Sequence, residues 1–289
     1  MIIDSENAVI DNGNIKSNQL IFNREFDFSD CSLIETMMGI ESELTGISIK
    51  KIQEQLNLQH IIISSKLTHF AEADQDKLQE LIKIVYREQE FCGDWKAFFR
   101  VENTLISQVL TRRKGIPISL GVLFLDLLAV SGFSAQGICF PSGFLIRIDV
   151  LDDVVYFDPF TGEILSYRDL ELKVRGQLGN YAKLKAKMLN PDTNKTIIKR
   201  LINVVKAAYI QDDKLAEALL CSDMLLRIDP DDAYEVRDRG FIFQELDCFK
   251  LASSDFAFFI EQCPEDPIVG LLKQKIKQMN IDEDAQIIH

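Results

Sequence analysis

A chain of 289 residues with 47% hydrophobic and 27% charged residues has the make-up of an ordinary globular protein and is long enough for two domains with buried cores. Its formal net charge of −13 argues against a surface that tracks nucleic-acid phosphates, and Arg112-Arg113-Lys114, the one compact basic triplet, reads as a solvated turn before a helix. No two of the six cysteines (Cys31, Cys92, Cys139, Cys221, Cys248, Cys263) have CxxC spacing, Met1 begins no signal peptide, and the apolar stretch 122–130 is too short to cross a bilayer, so the chain reads as a reduced, cytoplasmic protein with neither metal nor membrane partner.

Residues 1–30 are polar and weakly periodic and read as a lead-in, with a short strand expected near Leu20-Ile21-Phe22. Helical spacing then dominates to Gln89. Leu33, Ile34, Met37, Met38 and Ile40 mark one helix, and Ile49, Ile52 and Leu56 a second. Residues 61–70 and 78–86 mark two more. Asn103 is expected to cap a helix running to Leu110. Gly115-Ile116-Pro117 breaks the chain, and the proline suits the first turn of the next helix, where a missing N–H costs nothing. That helix, from about Ile118 to Val130, is apolar nearly all round, which predicts a buried central helix ended by Gly132. The period then changes to two. Phe144, Ile146, Ile148 and Val150 alternate with Leu145, Arg147 and Asp149, as in a half-buried strand. Leu151-Asp152-Asp153 turns into a return strand over 154–157, Asp158-Pro159-Phe160 closes the hairpin, and Thr161-Gly162 leads into a short third strand.

Beyond Pro191 the chain reads as helical throughout, and it repeats itself. Lys206 and Gly240, Tyr209 and Phe243, Ala218 and Ala252, Pro230 and Pro264, and Asp232 and Asp266 are each 34 residues apart, the tetratricopeptide period. Small residues at 218, 240 and 252 let paired helices approach, the prolines start the turn to the next unit, and Lys206 departs from the small residue expected at its place. Two such units cannot bury a core alone, so the module is expected to pack on the first domain, with the segment after Asp266 as a closing helix. The fold class expected is α+β and mostly helical, with a lead-in (1–30), a first domain (31–190) and a repeat module (191–289).

A thiol acyl-transfer site needs a nucleophile at a helix N-terminus, a histidine on a neighbouring strand and an acid to orient it. Helix, strand and acid are here the 118–130 helix, the 144–150 strand and Asp158, the order of parts in a transglutaminase-like domain. "NTLISQVLTRRKGIPISLGVLFLDLL", "GICFPSGFLIRI" and "YFDPFTGEIL", with "REQEFCGDW" upstream and "DPDDAYEVRDRGFIFQEL" downstream, resemble the SirB-type group of bacterial proteins over about residues 30–280. That resemblance implies a transglutaminase-like N-terminal domain with a small antiparallel sheet, followed by tetratricopeptide repeats. It also shows where the chain departs. The group's strand reads Pro-Gly-His-Phe, whereas Gly143 stands here in Pro141-Ser142-Gly143-Phe144; the nucleophile position falls near Pro117, with Ser119 the nearest hydroxyl. Asp158 keeps the acidic position but has no histidine to orient.

Other residues are weighed as substitutes. Cys139, in an apolar run, reads as a structural thiol; His60 and His69 lie on N-terminal helices, and His289 is the last residue. Ser119 and Asp126 share a helical face about 10 Å apart along the axis, too far to hydrogen-bond, and read as a narrow polar stripe. Asn103, Arg112, Arg113, Asp126 and Ser142 are the further candidates for lining the cleft. No phosphate-binding loop is present, so no cofactor is expected. The reading that follows is a non-catalytic regulatory or interaction protein whose repeats dock a protein or peptide, basic or amphipathic to suit the acidic chain. The competing reading is a thiol or serine hydrolase or acyl transferase with a rearranged site. A nucleic-acid regulator is suggested only by the group's name and is opposed by the charge. Arg237 and Arg239 are expected to pair locally with Glu235 and Asp238.

Overall fold

The computed structural model describes residue 28 and residues 31–151 and 153–287, with side chains to residue 279. The strand expected near residues 20–22, and His289, lie outside the described residues. The first helix, α1 (Leu33–Thr45), is capped by the Ser32 hydroxyl on the Glu35 N–H and ends at Gly46, whose φ of +72° suits a residue without a side chain. Next, α2 (Ile49–Lys66) is one continuous helix where the spacing predicted two. No glycine or proline interrupts residues 57–60, and Ile52, Leu56, Gln59 and Ile63 form its single buried stripe. Ile61, read as the start of another helix, points outward and is 64% exposed. α3 (Gln75–Lys83) starts on the Asp74 carboxylate and widens into a π-turn over Ile84–Glu88.

A two-residue strand, β1 (Cys92–Gly93), pairs in parallel with β2 (Lys114–Gly115) on either side of a 3-10 turn (Val101–Asn103) and α4 (Ile106–Arg112). α4 is capped at Leu105, not at Asn103. Asn103 is instead fully buried, donating from Nδ2 to the Ala97 carbonyl (2.6 Å) and accepting from Arg112 (2.9 Å), so its amide ties the 97–103 loop to α4. Arg112 also meets Asp94 at 3.3 Å. Arg113, at φ +58°, donates to the Gln89 carbonyl (2.6 Å) and lies over the Phe91 ring. The basic triplet is therefore a bonded corner that fastens β1 to β2, not a merely wet turn.

The central helix α5 (Pro117–Val130) begins on its proline, and nine of its fourteen residues are buried. Gly132, at φ +86°, follows its end. The sheet is antiparallel and ordered as numbered: β3 (Ser134–Ile138), β4 (Leu145–Val150), β5 (Asp153–Asp158) and β6 (Glu163–Leu165). β3 was not foreseen in the sequence; it pairs Gly137 with Ile146. Gly121 lets the sheet come down on α5, because a Cβ there would lie 2.3 Å from the Phe144 ring. α6 (Tyr167–Leu178), capped reciprocally by Ser166 and Asp169, covers the outer face with Leu170 and Val174.

Five helices follow among the described residues: α7 (Asn194–Gln211), α8 (Leu215–Ile228), α9 (Ala233–Glu245), α10 (Phe249–Gln262) and α11 (Val269–Ile287). Ala218 and Ala252 are fully buried, and a Cβ on Gly240 would stand 2.7 Å from the Phe256 ring, so α9 and α10 meet where the repeat places its small residues. Tyr209 is buried, Phe243 packs against the Phe256 cluster, and Pro230 and Pro264 sit in the turns before α9 and α11. Lys206 reaches from α7 to Glu235 on α9, with Nζ 2.7 and 2.6 Å from its two oxygens, while Ser222 on α8 donates to the same carboxylate. Arg237 pairs with Asp238, but Arg239 forks onto Asp255, and Glu235 is taken by Lys206 rather than by a neighbouring arginine. One apolar core runs from Ile34 on α1 through the helix α5 to Ile242 on α9, and Arg227 meets Glu43 at 2.5 Å, so the first repeat docks on the N-terminal helices.

Candidate functional site: a crevice at the start of the central helix

Pro117 opens α5, Gly143 ends the turn before β4, and Asp158 ends β5; all three line one cavity of about 280 Å³, with Trp95, Phe98, Ser142, Phe160 and Lys173. A neighbouring cavity of about 380 Å³ shares Phe98, Pro117, Ser142 and Gly143 and adds Phe99, Gln177, Arg200 and Val204. A Cβ on Gly143 would stand 3.4 Å from the Pro117 ring, so a side chain at 143 would face residue 117. Position 117 is the first turn of a fourteen-residue helix, where the dipole would favour a thiolate. Proline there has no atom to ionise, and glycine at 143 has no base to offer.

Asp158 is buried and doubly held. Its carboxylate accepts the Phe160 N–H at 2.8 Å and pairs with Lys173 Nζ at 2.5 Å. Lys173, on α6, thus supplies the positive charge that an imidazolium would supply in a catalytic triad. Behind it, Tyr86 donates to the Pro159 carbonyl at 2.9 Å, and burial together with the Asp158 carboxylate pushes its phenol well above the ordinary range. The wall facing Asp158 is aromatic: Trp95 stacks edge-on against Phe160 at 4.4 Å, and Phe98 touches both Phe160 and Phe99. Gly93 makes room for this cluster, since a Cβ there would fall 2.4 Å from the Phe160 ring.

Several candidate residues lie elsewhere. Ser119 is fully buried and does not line the crevice; its hydroxyl donates to the Asn103 carbonyl at 2.6 Å and accepts the Ile116 N–H at 3.1 Å, capping α5. Asn103, Arg112 and Arg113 serve the corner described above, and only Ser142 of the further candidates reaches the crevice. Asp126 lies nine residues along α5, about 13 Å from Pro117, and its carboxylate meets His60 Nε2 at 2.6 Å. Asp126 lines a separate cavity of about 280 Å³ with Cys31, Gln136, Asp192 and Asn194. The Cys31 thiol there donates to the Phe28 carbonyl. His69 is exposed. Cys139 sits outside the crevice, and burial, with help from the Asp192 carboxylate, pushes its thiol up to about 11. Among the described residues no cluster of histidine, cysteine and carboxylate side chains could hold a metal, and no helix is long and apolar enough to cross a membrane.

The sequence order Trp95, Phe98 and Phe99 marked the aromatic wall only in retrospect. Lys173, Gln177 and Arg200 were not foreseen, although Ser166 and Asp169 spell the capping box that starts α6 and Leu170 and Val174 its buried side.

Helix, antiparallel sheet and acid in this order, followed by paired helices of 34-residue period, define a transglutaminase-like domain joined to tetratricopeptide repeats. Comparison with known sequences agrees: residues 48–203 match the transglutaminase-like superfamily and residues 205–277 the tetratricopeptide repeat, the two meeting inside α7. The chain belongs to the bacterial UPF0162/SirB1 family within that superfamily. It is 37% identical to a UPF0162 protein of Vibrio cholerae over 90% of this chain and 97% of that one. It is 29% identical to UPF0162 protein YchA of Escherichia coli K12, over 92% and 98%. Protein SirB1 of Salmonella typhimurium is 28% identical, over 87% and 94%.

Proposed function

We propose that this is a non-catalytic regulatory protein of the bacterial cytoplasm, in which a transglutaminase-like domain serves as a scaffold and the tetratricopeptide module docks a partner protein. One observation carries the reading: Pro117, Gly143 and Asp158 meet in one crevice, and the acid is paired with Lys173 instead of an imidazole. Without a base, a serine or thiol is a poor nucleophile at neutral pH, and loss of one triad member costs several orders of magnitude in rate. The repeats offer exposed apolar side chains at Leu220, Leu251 and Leu271, in keeping with the docking use of such stacks.

The competing enzyme reading has one observation in its favour, the His60–Asp126 pair beside a cavity that also holds Cys31. The thiol's bond goes to a backbone carbonyl rather than to the imidazole, so the pair is not set to activate it. Thiol- and serine-directed acylating probes, with peptide mapping of any adduct, test the choice. The expected result is no labelling that Cys31→Ser, Ser119→Ala or Cys139→Ala removes; labelling abolished by one of them revives the enzyme. For the docking half, partner capture by the full chain should fall when Leu220, Leu251 and Leu271 are changed to Glu. Undiminished capture means that the repeats are not the docking surface.

A further inference from the structure

The net charge of −13 hides a local reversal. Residues 168–200, which comprise α6, the following loop and the start of α7, carry nine Lys or Arg and three Asp or Glu, a net charge of +6. Lys173, Gln177 and Arg200 of this segment line the crevice; Lys173 is paired with Asp158, and Lys199 is paired with Asp229 and Asp232. Lys173 and Gln177 are one turn apart on α6, Arg200 and Val204 one turn apart on α7, and each pair faces the cavities. The opposite lip is the loop 95–100, where Trp95 and Phe99 are 73% and 60% exposed and Lys96 and Arg100 are also exposed. Trp95 and Phe99 thus leave large ring faces open beside the two cavities, the kind of side chain that is enriched at interfaces. The floor is uncharged at Pro117, Ser142 and Gly143, and its one carboxylate, Asp158, is already neutralised by Lys173. Arg200 makes a long 3.4 Å bond to the Phe140 carbonyl and also reaches the Cys139 thiol, and neither contact is with a carboxylate.

We infer that the crevice is a binding site for an acidic peptide segment with an aromatic or bulky apolar anchor, the anchor lying against Trp95 and Phe99 and the carboxylates meeting Arg200, Lys96 and Arg100. Charge complementarity selects this occupant, and it reverses what the overall acidity of the chain suggests about partners. The cavities, about 280 and 380 Å³, take side chains and not a large cofactor. The inference rests on the reading that the crevice does no chemistry, so that what binds there stays bound instead of being turned over.

The chain has a single tryptophan, and Trp95 is it, so intrinsic emission reports on the crevice directly. The full chain is titrated with the blocked peptide acetyl-Glu-Asp-Phe-Glu-Asp-amide, with its counterpart carrying lysine at the four acidic positions, and with single-stranded oligothymidine. The expected result is a saturable change in Trp95 emission with the acidic peptide alone. That binding should weaken steeply as salt is raised from about 0.05 to about 0.5 M. It should weaken on the order of fivefold for each of Lys96→Glu, Arg100→Glu and Arg200→Gln. Lys96 and Arg100 are exposed, so those variants keep the fold, which helical circular dichroism verifies. Equal binding of the lysine peptide, indifference to the charge changes, or a response to oligothymidine without one to the peptide would each overturn the inference. Mass spectrometry of the recovered peptide separates the two claims: a cleaved peptide contradicts the non-catalytic reading while leaving the binding site standing.

Discussion

The buried charge in the repeat module sets a quantitative test. Lys206 stands where the 34-residue pattern expects a small side chain, and its ammonium is bonded to both oxygens of Glu235, which also accepts from Ser222 at 2.5 Å. Both charged side chains are 7% exposed, so solvent screens them little. Three helices, α7, α8 and α9, are thereby pinned in one register ahead of the surface they present. Removing one partner leaves an uncompensated buried charge, which costs about 3–5 kcal/mol, whereas an apolar pair of similar volume is neutral or better. Glu235→Ala should therefore cost about 3 kcal/mol or more, and Lys206→Met somewhat less, because a carboxyl can take up a proton. The double change Lys206→Met with Glu235→Leu should return to within about 1 kcal/mol of the parent. Urea unfolding followed by helical circular dichroism reads this out. With a slope of about 2 kcal/mol per molar, the single Glu235 change should move the midpoint down by about 1.5 M. Single changes costing under about 1 kcal/mol, or a double change equal to the sum of the singles, would refute the claim that the pair is buried and coupled.

Other outcomes follow from the same geometry. Glu41 is buried against the Ser107 N–H (3.0 Å) and hydroxyl; burial raises its carboxyl despite those two donors. A folded-state value above the unfolded one means that the parent gains stability relative to Glu41→Gln as pH falls from 7 toward the unfolded carboxyl's range near about 4.3, and loses it as pH rises through the folded value. Paired melts at both ends of that window check the sign, and a gap that stays constant or moves the other way contradicts it. Ser119→Ala removes a buried donor and acceptor and should cost about 1–3 kcal/mol in urea unfolding; no loss would mean that the hydroxyl does not cap α5. In native protein near neutral pH, a thiol reagent should modify the exposed Cys92 and Cys248 first and Cys139 and Cys221 last, since burial pushes the latter two up to about 11 and about 12. Fast modification of Cys139 would contradict its placement.

Local patterns were legible wherever one physical rule decided the outcome. The alternation Ile146, Ile148, Val150 has period two and became β4, and Pro117 and Gly132 bracket α5 as an N-terminal proline and a left-handed glycine do. The repeat spacing at 218, 240 and 252 also translated directly, because close helix contact tolerates only small side chains there. What failed were cases where tertiary contact overrode local preference. Asn103 has the chemistry of a cap but is used as a buried tie between a loop and Arg112. The 49–70 region held two apolar clusters, and nothing in it broke the helix between them. The crevice itself was half legible. Residues 117, 143 and 158 are found by order along the chain, but Lys173 reaches Asp158 only because α6 folds back over the sheet, and His60 meets Asp126 across 66 residues. Distances of that kind are set by packing and leave no mark in local spacing.

A crevice at the head of α5 that binds without breaking or making bonds, as proposed above, should show no turnover. The most direct test is turnover of a panel of amide and ester substrates by the full chain, measured beside Asp158→Asn and Ser142→Ala. The expected rates equal background for all three proteins. Turnover above background by the parent chain that either change abolishes would contradict the proposal.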